Sequence, residues 1–539
     1  MKKFMALTLA LLFAFAMTTV SFAQPPAATP KAEKAAPVKA EIKGAITKIE
    51  GKKEVDIKEI KIVGNYLISL EELKPLVEPY EGKRLTLADL QKAASAITEE
   101  YRKRGYILAR AYIPEQKITA GSVEIAVLEG SIGEIKVEGS HKYYSSEFIK
   151  KHFKFKNNTF NQNDLERTIL ILNEYLRLNV KATLQAGKEP GTTDIIIKAE
   201  NAMPVNLTLD YNNFGSKYVS RSRFGATFDI GNIIIEGAIF SIRGVSGDNP
   251  DDMFFGRTSY SIPLNKLGTR LGAYYASGDY ELGREFAVLK IKGNIKSYGI
   301  YASHPFIKKR IQSLTAEVGF DVKNAKQEIL GTEVSKDRIR SLRGGITYES
   351  TDTTGRLFGS VFITQGLGNN LGGMDNNDRF ASRAGADNRF TKANINVMRV
   401  QKIADPLFLI LKGSGQWTSD SLVAIEQFSV GGADSVRGYP MGEFSGDDGY
   451  AVTAELRVSP LKNKELVQIA LFMDNGWYNI KSPAVGQTKS DSLTGGGAGL
   501  RFSLPYDIDA RFDVGFPIDP SRSSEGSEPI YYFQIVKKF

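Results

Sequence analysis

Two short segments of this chain combine residue types that chemistry can use. One is Val436-Arg437-Gly438-Tyr439, inside the glycine-rich run 431–440, and the other is Phe472-x-Asp474-x-Gly476. Strand alternation over 466–476 puts Val467, Ile469, Leu471 and Met473 on one face and Gln468, Ala470, Phe472, Asp474 and Gly476 on the other. If the apolar face meets lipid, Asp474 is a carboxylate in a confined interior, which costs free energy unless a cation stands beside it. Arg437 supplies that cation if its loop folds inward. A pair at ~4 Å is worth ~4 kcal/mol of Coulomb energy at an effective dielectric of ~20, before desolvation is subtracted. Gly438 permits a tight backbone there, and Tyr439 offers a stacking face. The expected chemistry is a charge clamp, with Arg437 solvated at the surface as the alternative.

Other chemistry is poorly supplied. Cysteine is absent, which removes disulfides, thiolate metal sites and a cysteine nucleophile. The three histidines (His141, His152, His304) are scattered, so no histidine-based metal site is expected. No GxxxxGK[ST] or GxSxG occurs, and Gly495-Gly496-Gly497-Ala498-Gly499 leads into a strand rather than a helix. That run reads as a hinge or a close-packed wall, not a phosphate cradle. A net charge of +9 spread over 539 residues, with both signs interspersed, does not point to nucleic acid. No cofactor, metal or catalytic constellation is expected.

The elements that must position Arg437 and Asp474 are strands. From residue 203 onward alternation dominates: Val205, Leu207, Leu209 and Tyr211 share one face, and Phe512, Val514 and Phe516 do likewise. Alternation alone leaves open a soluble sandwich, whose apolar faces pack together, and a membrane barrel, whose apolar face meets lipid. The count favours the barrel. Candidate strands lie near 203–212, 221–230, 233–243, 253–263, 268–278, 293–303, 312–322, 339–350, 355–365, 390–401 and 406–418. Five more lie near 450–459, 466–476, 494–504, 508–517 and 530–539, sixteen in all and mostly of membrane-crossing length. Long loops are expected at 244–252, 366–388 and 431–449. The last strand carries Tyr531, Phe533, Ile535 and Phe539 on one face and can pair with the first to leave no edge.

Ahead of the barrel, Lys58-Glu59-Ile60-Lys61-Ile62-Val63-Gly64 recurs as Gly133-Glu134-Ile135-Lys136-Val137-Glu138-Gly139, and Asp89-Leu90 as Asp164-Leu165. Each copy reads strand, short helix, longer helix, strand, strand, with Thr86 and Asn161 as N-caps of the longer helices. The closing strands are expected at 106–113 and 122–128, then 180–186 and 193–199. Residues 24–53 form an Ala/Lys/Pro-rich linker with at most a weak helix over 40–50. Residues 1–23, with Lys2-Lys3 before an apolar stretch and Ser21-Phe22-Ala23 before Gln24, read as a secretory signal peptide. The expected domains are therefore 54–130, 131–202 and the barrel 203–539.

A leader, two βααββ repeats, sixteen strands, Val436-Arg437-Gly438-Tyr439 and Phe472-x-Asp474-x-Gly476 together resemble the two-partner secretion transporters. This is the haemolysin and filamentous-haemagglutinin secretion/activation family of the Omp85 superfamily, and the resemblance spans 55–539. It implies an outer-membrane barrel with two POTRA domains in the periplasm, which bind an exoprotein and pass it to the surface. It also implies that Arg437 contacts Asp474 inside the barrel, and that Phe539 marks the terminal strand for the barrel-assembly machinery. The implied setting is outer-membrane lipid, with a monomeric barrel as the expected state. An Omp85-type insertase is the alternative, and two POTRA units favour secretion. Residues 31–50, interrupted by Pro37, match the family's pore-plugging N-terminal helix poorly.

Overall fold

The computed structural model describes residues 54–539 apart from 117, 119, 190, 376, 377, 462, 464 and 465. The expected leader and the linker, with residues 31–50, lie outside the described residues. The chain divides into two compact units between Met203 and Pro204.

The N-terminal unit contains the two repeats. The first comprises β1 (Val55–Ile57), β2 (Glu59–Val63), α1 (Leu70–Val77), β3 (Lys83–Leu85), α2 (Leu87–Lys103), β4 (Arg110–Tyr112) and β5 (Ser122–Leu128). The second comprises β6 (Ser131–Glu138), α3 (Ser146–His152), α4 (Gln162–Leu172), β7 (Leu178–Ala186) and β8 (Thr192–Asn201). Their three-stranded sheets share one plan, β2-β5-β4 and β6-β8-β7, with the first pair parallel in each. Thr86 caps α2 through a reciprocal box with Asp89, and Asn161 caps α4 by accepting from Asn163 N–H. The spacing of Leu87, Leu90, Ala94, Ile97 and Tyr101 predicts one buried face of α2; the last four are buried in the repeat's core and Leu87 is half-buried. Gly64 (φ +79°) and Gly139 (φ +103°) end β2 and β6 where a Cβ would lie 2.5 Å from Val127 O and 2.4 Å from Ala199 O. The repeated glycine is therefore a steric requirement.

Two details differ from expectation. The strand predicted at 106–113 is only Arg110–Tyr112, because residues 106–109 form a turn whose Ile107 and Leu108 pack on the second repeat's core. An additional two-stranded ladder joins β1 to β3.

The C-terminal unit is a closed antiparallel barrel of sixteen strands. They are β9 (Val205–Asn212), β10 (Arg223–Gly231), β11 (Ile239–Ser246), β12 (Met253–Pro263), β13 (Arg270–Glu281), β14 (Lys292–Lys309), β15 (Gln312–Ile329) and β16 (Thr332–Thr351). Next come β17 (Gly355–Gly366), β18 (Thr391–Ala404) and β19 (Leu407–Thr418), and then a loop holding the small hairpin β20 (Phe428–Val430) and β21 (Phe444–Gly446). The wall resumes with β22 (Asp448–Val458), β23 (Val467–Asn479), β24 (Ser490–Leu504), β25 (Ile508–Pro517) and β26 (Ile530–Lys538), which pairs with β9.

Faces alternate as a lipid-facing wall requires. On β23, Leu471 and Met473 are each 57% exposed on the outside, whereas Phe472 and Asp474 are 6% and 0% exposed on the inside. Several limits move. The strand expected at 233–243 is β11, because Asn232 and Ile234 adopt positive φ in a turn that delays the strand to Ile239. Consequently 244–246 is strand rather than loop, and residue 448 likewise begins β22. Strands β14 to β16 extend well beyond the lengths expected from 293–303, 312–322 and 339–350. Phe539 lies one residue past β26, although its N–H still donates to Leu207 O at 2.9 Å.

Candidate functional site

The loop between β19 and β22, residues 419–447, folds into the barrel. It does so because its hairpin and turn bury apolar side chains against the inner wall: Phe428, Val430, Val436 and Tyr439 form one core with Ala451, Tyr478, Ile480 and Leu493. Gly476 on β23 makes room, since a Cβ there would lie 2.5 Å from Val430 Cγ1 and 2.8 Å from Val436 Cγ2.

Arg437 projects from this turn into a cluster of carboxylates. Its Nε donates to Asp474 Oδ2 at 2.7 Å and its NH2 group to Oδ1 at 2.9 Å, a bidentate pair, while its backbone N–H adds a third bond at 3.1 Å. The NH1 group reaches Glu455 Oε2 at 2.8 Å and Asp513 Oδ2 at 3.4 Å. The guanidinium lies 3.3 Å from the centre of the Phe472 ring, a cation–π contact. Phe472, not Tyr439, is thus the stacking face for Arg437. Tyr439 instead pins the turn to the wall: it is fully buried, and its Oη lies 3.1 Å from Thr494 O and accepts from Asp519 N–H at 3.3 Å. Gly438, at φ +94°, sits where a Cβ would lie 2.4 Å from the Phe516 backbone carbon, and its N–H donates to Tyr532 Oη at 3.1 Å.

The cluster is larger than a pair. Arg501 donates to Asp513 Oδ1 at 2.6 Å and to Glu455 Oε2 at 2.9 Å. Arg511 holds Asp513 Oδ2 at 2.6 Å, and Arg457 holds Glu455 Oε1 at 2.6 Å. Four arginines therefore neutralise three carboxylates, and Asp474 is the carboxylate whose cation is Arg437 alone among the described residues. Such burial is tolerable only while every partner is present. Sequence reasoning places Glu455, Arg457, Arg511 and Asp513 on polar strand faces but does not join them to Arg437. Their signal is an ionisable residue at an inward position, which names no partner.

The inner wall is cut to receive the turn. On β24 the inward positions Gly495, Gly497 and Gly499 alternate with outward Gly496 and Ala498. A Cβ on Gly495 would lie 1.9 Å from Arg437 O, and one on Gly515 of β25 would lie 2.6 Å from Gly438 N. The Gly-rich run is a close-packed wall.

This architecture matches known proteins. Residues 191–502 fit the family described as haemolysin secretion/activation protein ShlB/FhaC/HecB, and residues 55–130 fit the ShlB-type POTRA domain. The chain belongs to that family. It is 27% identical over 500 residues to the heme/hemopexin transporter protein HuxB of Haemophilus influenzae strain 86-028NP, covering 88% of this chain and 85% of that one. It is 22% identical over 476 residues to the outer membrane transporter CdiB of Escherichia coli O6:K15:H31, covering 86% and 79%. Among solved structures, CdiB from Escherichia coli superposes with a TM-score of 0.77 at 20% identity, over 93% of each chain. BamA from Haemophilus ducreyi lacking POTRA domains 1–3 gives 0.52 at 16% identity, over 90% of this chain and 100% of that one. The protein is an outer-membrane transporter of the two-partner secretion type, with periplasmic POTRA domains, and it acts with a secreted protein partner. Since the chain enters the barrel from the periplasm at β9, the connections after odd-numbered strands of the ring, 419–447 included, open at the outer face.

Proposed function

We propose that the POTRA-like domains capture an extended segment of the exoprotein by β-augmentation, and that the barrel lumen carries it outward past a loop anchored through Arg437 and Asp474. The observation that carries this reading is the inward-folded loop, whose Val436-Arg437-Gly438-Tyr439 turn is fastened to Phe472, Asp474 and Gly476 of β23. A loop held at a fixed position beside the path can steer a passing chain, and a solvated one cannot. The receptor edge is provided by the repeats. Each of their sheets pairs its central strand on both sides, and the outer strands have a ladder partner on one side only; the longest is β7 with nine residues, whose open edge is taken at Val180 by the Asn173 side chain.

The remaining parts of the reading follow. Residues 1–23 are a cleaved leader, 24–53 a linker, 54–130 and 131–202 the two receptor domains, and 203–539 the conduit. Phe539 and the aromatic face of β26 are read by the barrel-assembly machinery, and the barrel works as a monomer in outer-membrane lipid. No catalytic step or cofactor takes part.

Deleting 55–130 should abolish export of the partner while the barrel still inserts, measured by partner at the cell surface and by heat-modifiable barrel in the outer membrane. Normal export from that deletion would remove the first repeat from the receptor.

A further inference from the structure

At the outer end of the lumen an apolar cluster lies among charged inward residues of the wall. Val245 on β11, Phe255 on β12, Tyr280 on β13 and Ile339 on β16 are all buried in one cluster that also contains Leu422, Val423, Ala424 and Ile425 of the inward loop. The loop leaves β19, the eleventh strand of the ring counted from β9, whereas β11 is the third. In a ring of sixteen these strands stand on opposite walls. One continuous apolar core therefore runs from β11 to the loop that leaves β19, and residues 422–425 are its loop-borne part.

Polar contacts fasten the same segment, and they are separate from the Arg437 cluster. Asp447, wholly buried at the far root of the loop, accepts from Arg383 NH1 at 2.5 Å and NH2 at 3.2 Å. It also accepts from Leu422 N–H at 2.9 Å and from Lys481 N–H at 2.7 Å. Arg383 belongs to the connection between β17 and β18 and donates a further bond to Leu422 O. A single carboxylate thus ties together three outer connections. Next to it, Glu426 is 1% exposed and is held by Lys323 of β15 and Lys392 of β18, each at 2.7 Å. Burial alone would raise the Glu426 carboxyl, but the two lysines outweigh it and hold it down at about 2.

We propose that Arg383 and Asp447 are the positioning pair of an outer closure. They hold segment 422–427 across the barrel mouth, and the exported chain leaves when this clamp releases, while the Arg437 anchor deeper in the lumen stays in place. The proposal rests on reading the lumen as the export path. It adds a second, independently releasable fastening to the same loop, and it predicts that the outer closure limits passage even when no cargo is present.

The test is single-channel conductance of the purified full-length protein in planar lipid bilayers. Asp447→Asn keeps the side-chain volume and removes the charge, and Arg383→Ala removes the bidentate donor. Each should raise the mean conductance or the open fraction severalfold while the heat-modifiable folded band persists. Arg383→Lys, which retains charge but not the fork, should fall between these and the parent. Parent-like conductance from folded Asp447→Asn and Arg383→Ala barrels would overturn the closure. If either of those fails to fold, Arg383→Lys decides alone: parent-like conductance overturns the proposal and a rise supports it. Conductance is read without cargo, so this outcome is distinct from the export assay of the 55–130 deletion, whose failure would remove the export reading itself.

Discussion

Arg437 is shared by three carboxylates, but its loss does not fall on them equally. Glu455 retains Arg457 and Arg501, and Asp513 retains Arg501 and Arg511. Asp474 retains no cation among the described residues. Arg437→Ala therefore leaves one buried carboxylate uncompensated, at a cost of ~3–5 kcal/mol, and loosens the turn on β23, which keeps the backbone N–H bond to Asp474 and the packing of Val430 and Val436 on Gly476. Asp474→Ala leaves a guanidinium that still has Glu455 and Asp513, so its effect should be similar in kind but smaller. Both variants should impair export at equal barrel levels. The double variant should cost less than the sum by ~0.5–3 kcal/mol, because the second change removes a group already lacking its partner. Strictly additive effects on export would return Asp474 to the status of one lumen carboxylate among many. Arg437→Lys should not rescue, since an ammonium can neither fork to Asp474 nor lie flat on Phe472.

At the scale of elements, the turn sits where it does because β24 and β25 have no side chain beneath it. Overpacking of a tight contact typically costs ~1–3 kcal/mol, and here the obstructing atoms belong to the loop's backbone, which cannot rotate away. Gly495→Ala should lift the turn, reduce export and expose the loop to external protease. Gly496→Ala, one residue along, is the control: its Cβ would face outward with nothing nearer than 3.6 Å. Equal behaviour of the two would show that the seat is not needed.

The same strands show what is readable from sequence and what is not. Alternation locates the strands of the ring because lipid on one side and a polar lumen on the other impose opposite demands on successive residues. It falters where those demands lapse. Beyond the membrane, the outer halves of β14 to β16 are polar or mixed on both faces, so their true lengths are hidden. At Asn232 and Ile234 a positive-φ turn interrupts apolar residues that read as strand. The motif residues are visible as residue types, and the inward direction of Asp474 follows from its neighbours. Which side chains meet Arg437 is not visible, because Glu455, Phe472 and Asp513 come from three strands of a meander whose register, and whose meeting with the inward loop, only the fold sets. Similarly, Arg383 and Asp447 are ordinary loop residues in sequence, and only the fold buries them together.

For the whole molecule, the decisive question is whether cargo passes through the lumen or through the wall, since an insertase would use an opening between strands. The seam where the ring closes is the weakest place for such an opening. β26 and β9 share five paired positions, against eight for each of the adjoining pairs β25–β26 and β9–β10. Beyond that ladder the Asn213 side chain substitutes for backbone, donating to Tyr531 O at 2.9 Å and accepting from Phe533 N–H at 2.7 Å. The chain has no cysteine, so a pair introduced across the seam has no competing thiol. Asn213 N–H donates to Phe533 O and Phe539 N–H to Leu207 O, which puts the hydrogen-bonded pairs at odd positions of β9. Asn212 and Gln534 are therefore a directly opposed, non-hydrogen-bonded pair, whose Cα atoms approach to ~4.5 Å and suit a disulfide. With Asn212→Cys and Gln534→Cys oxidised, export through the lumen should continue at the parent rate, and reduction should change nothing. Loss of activity on oxidation, restored by reductant, would mean that the seam must open, and the insertase reading would then take the place of secretion through the lumen.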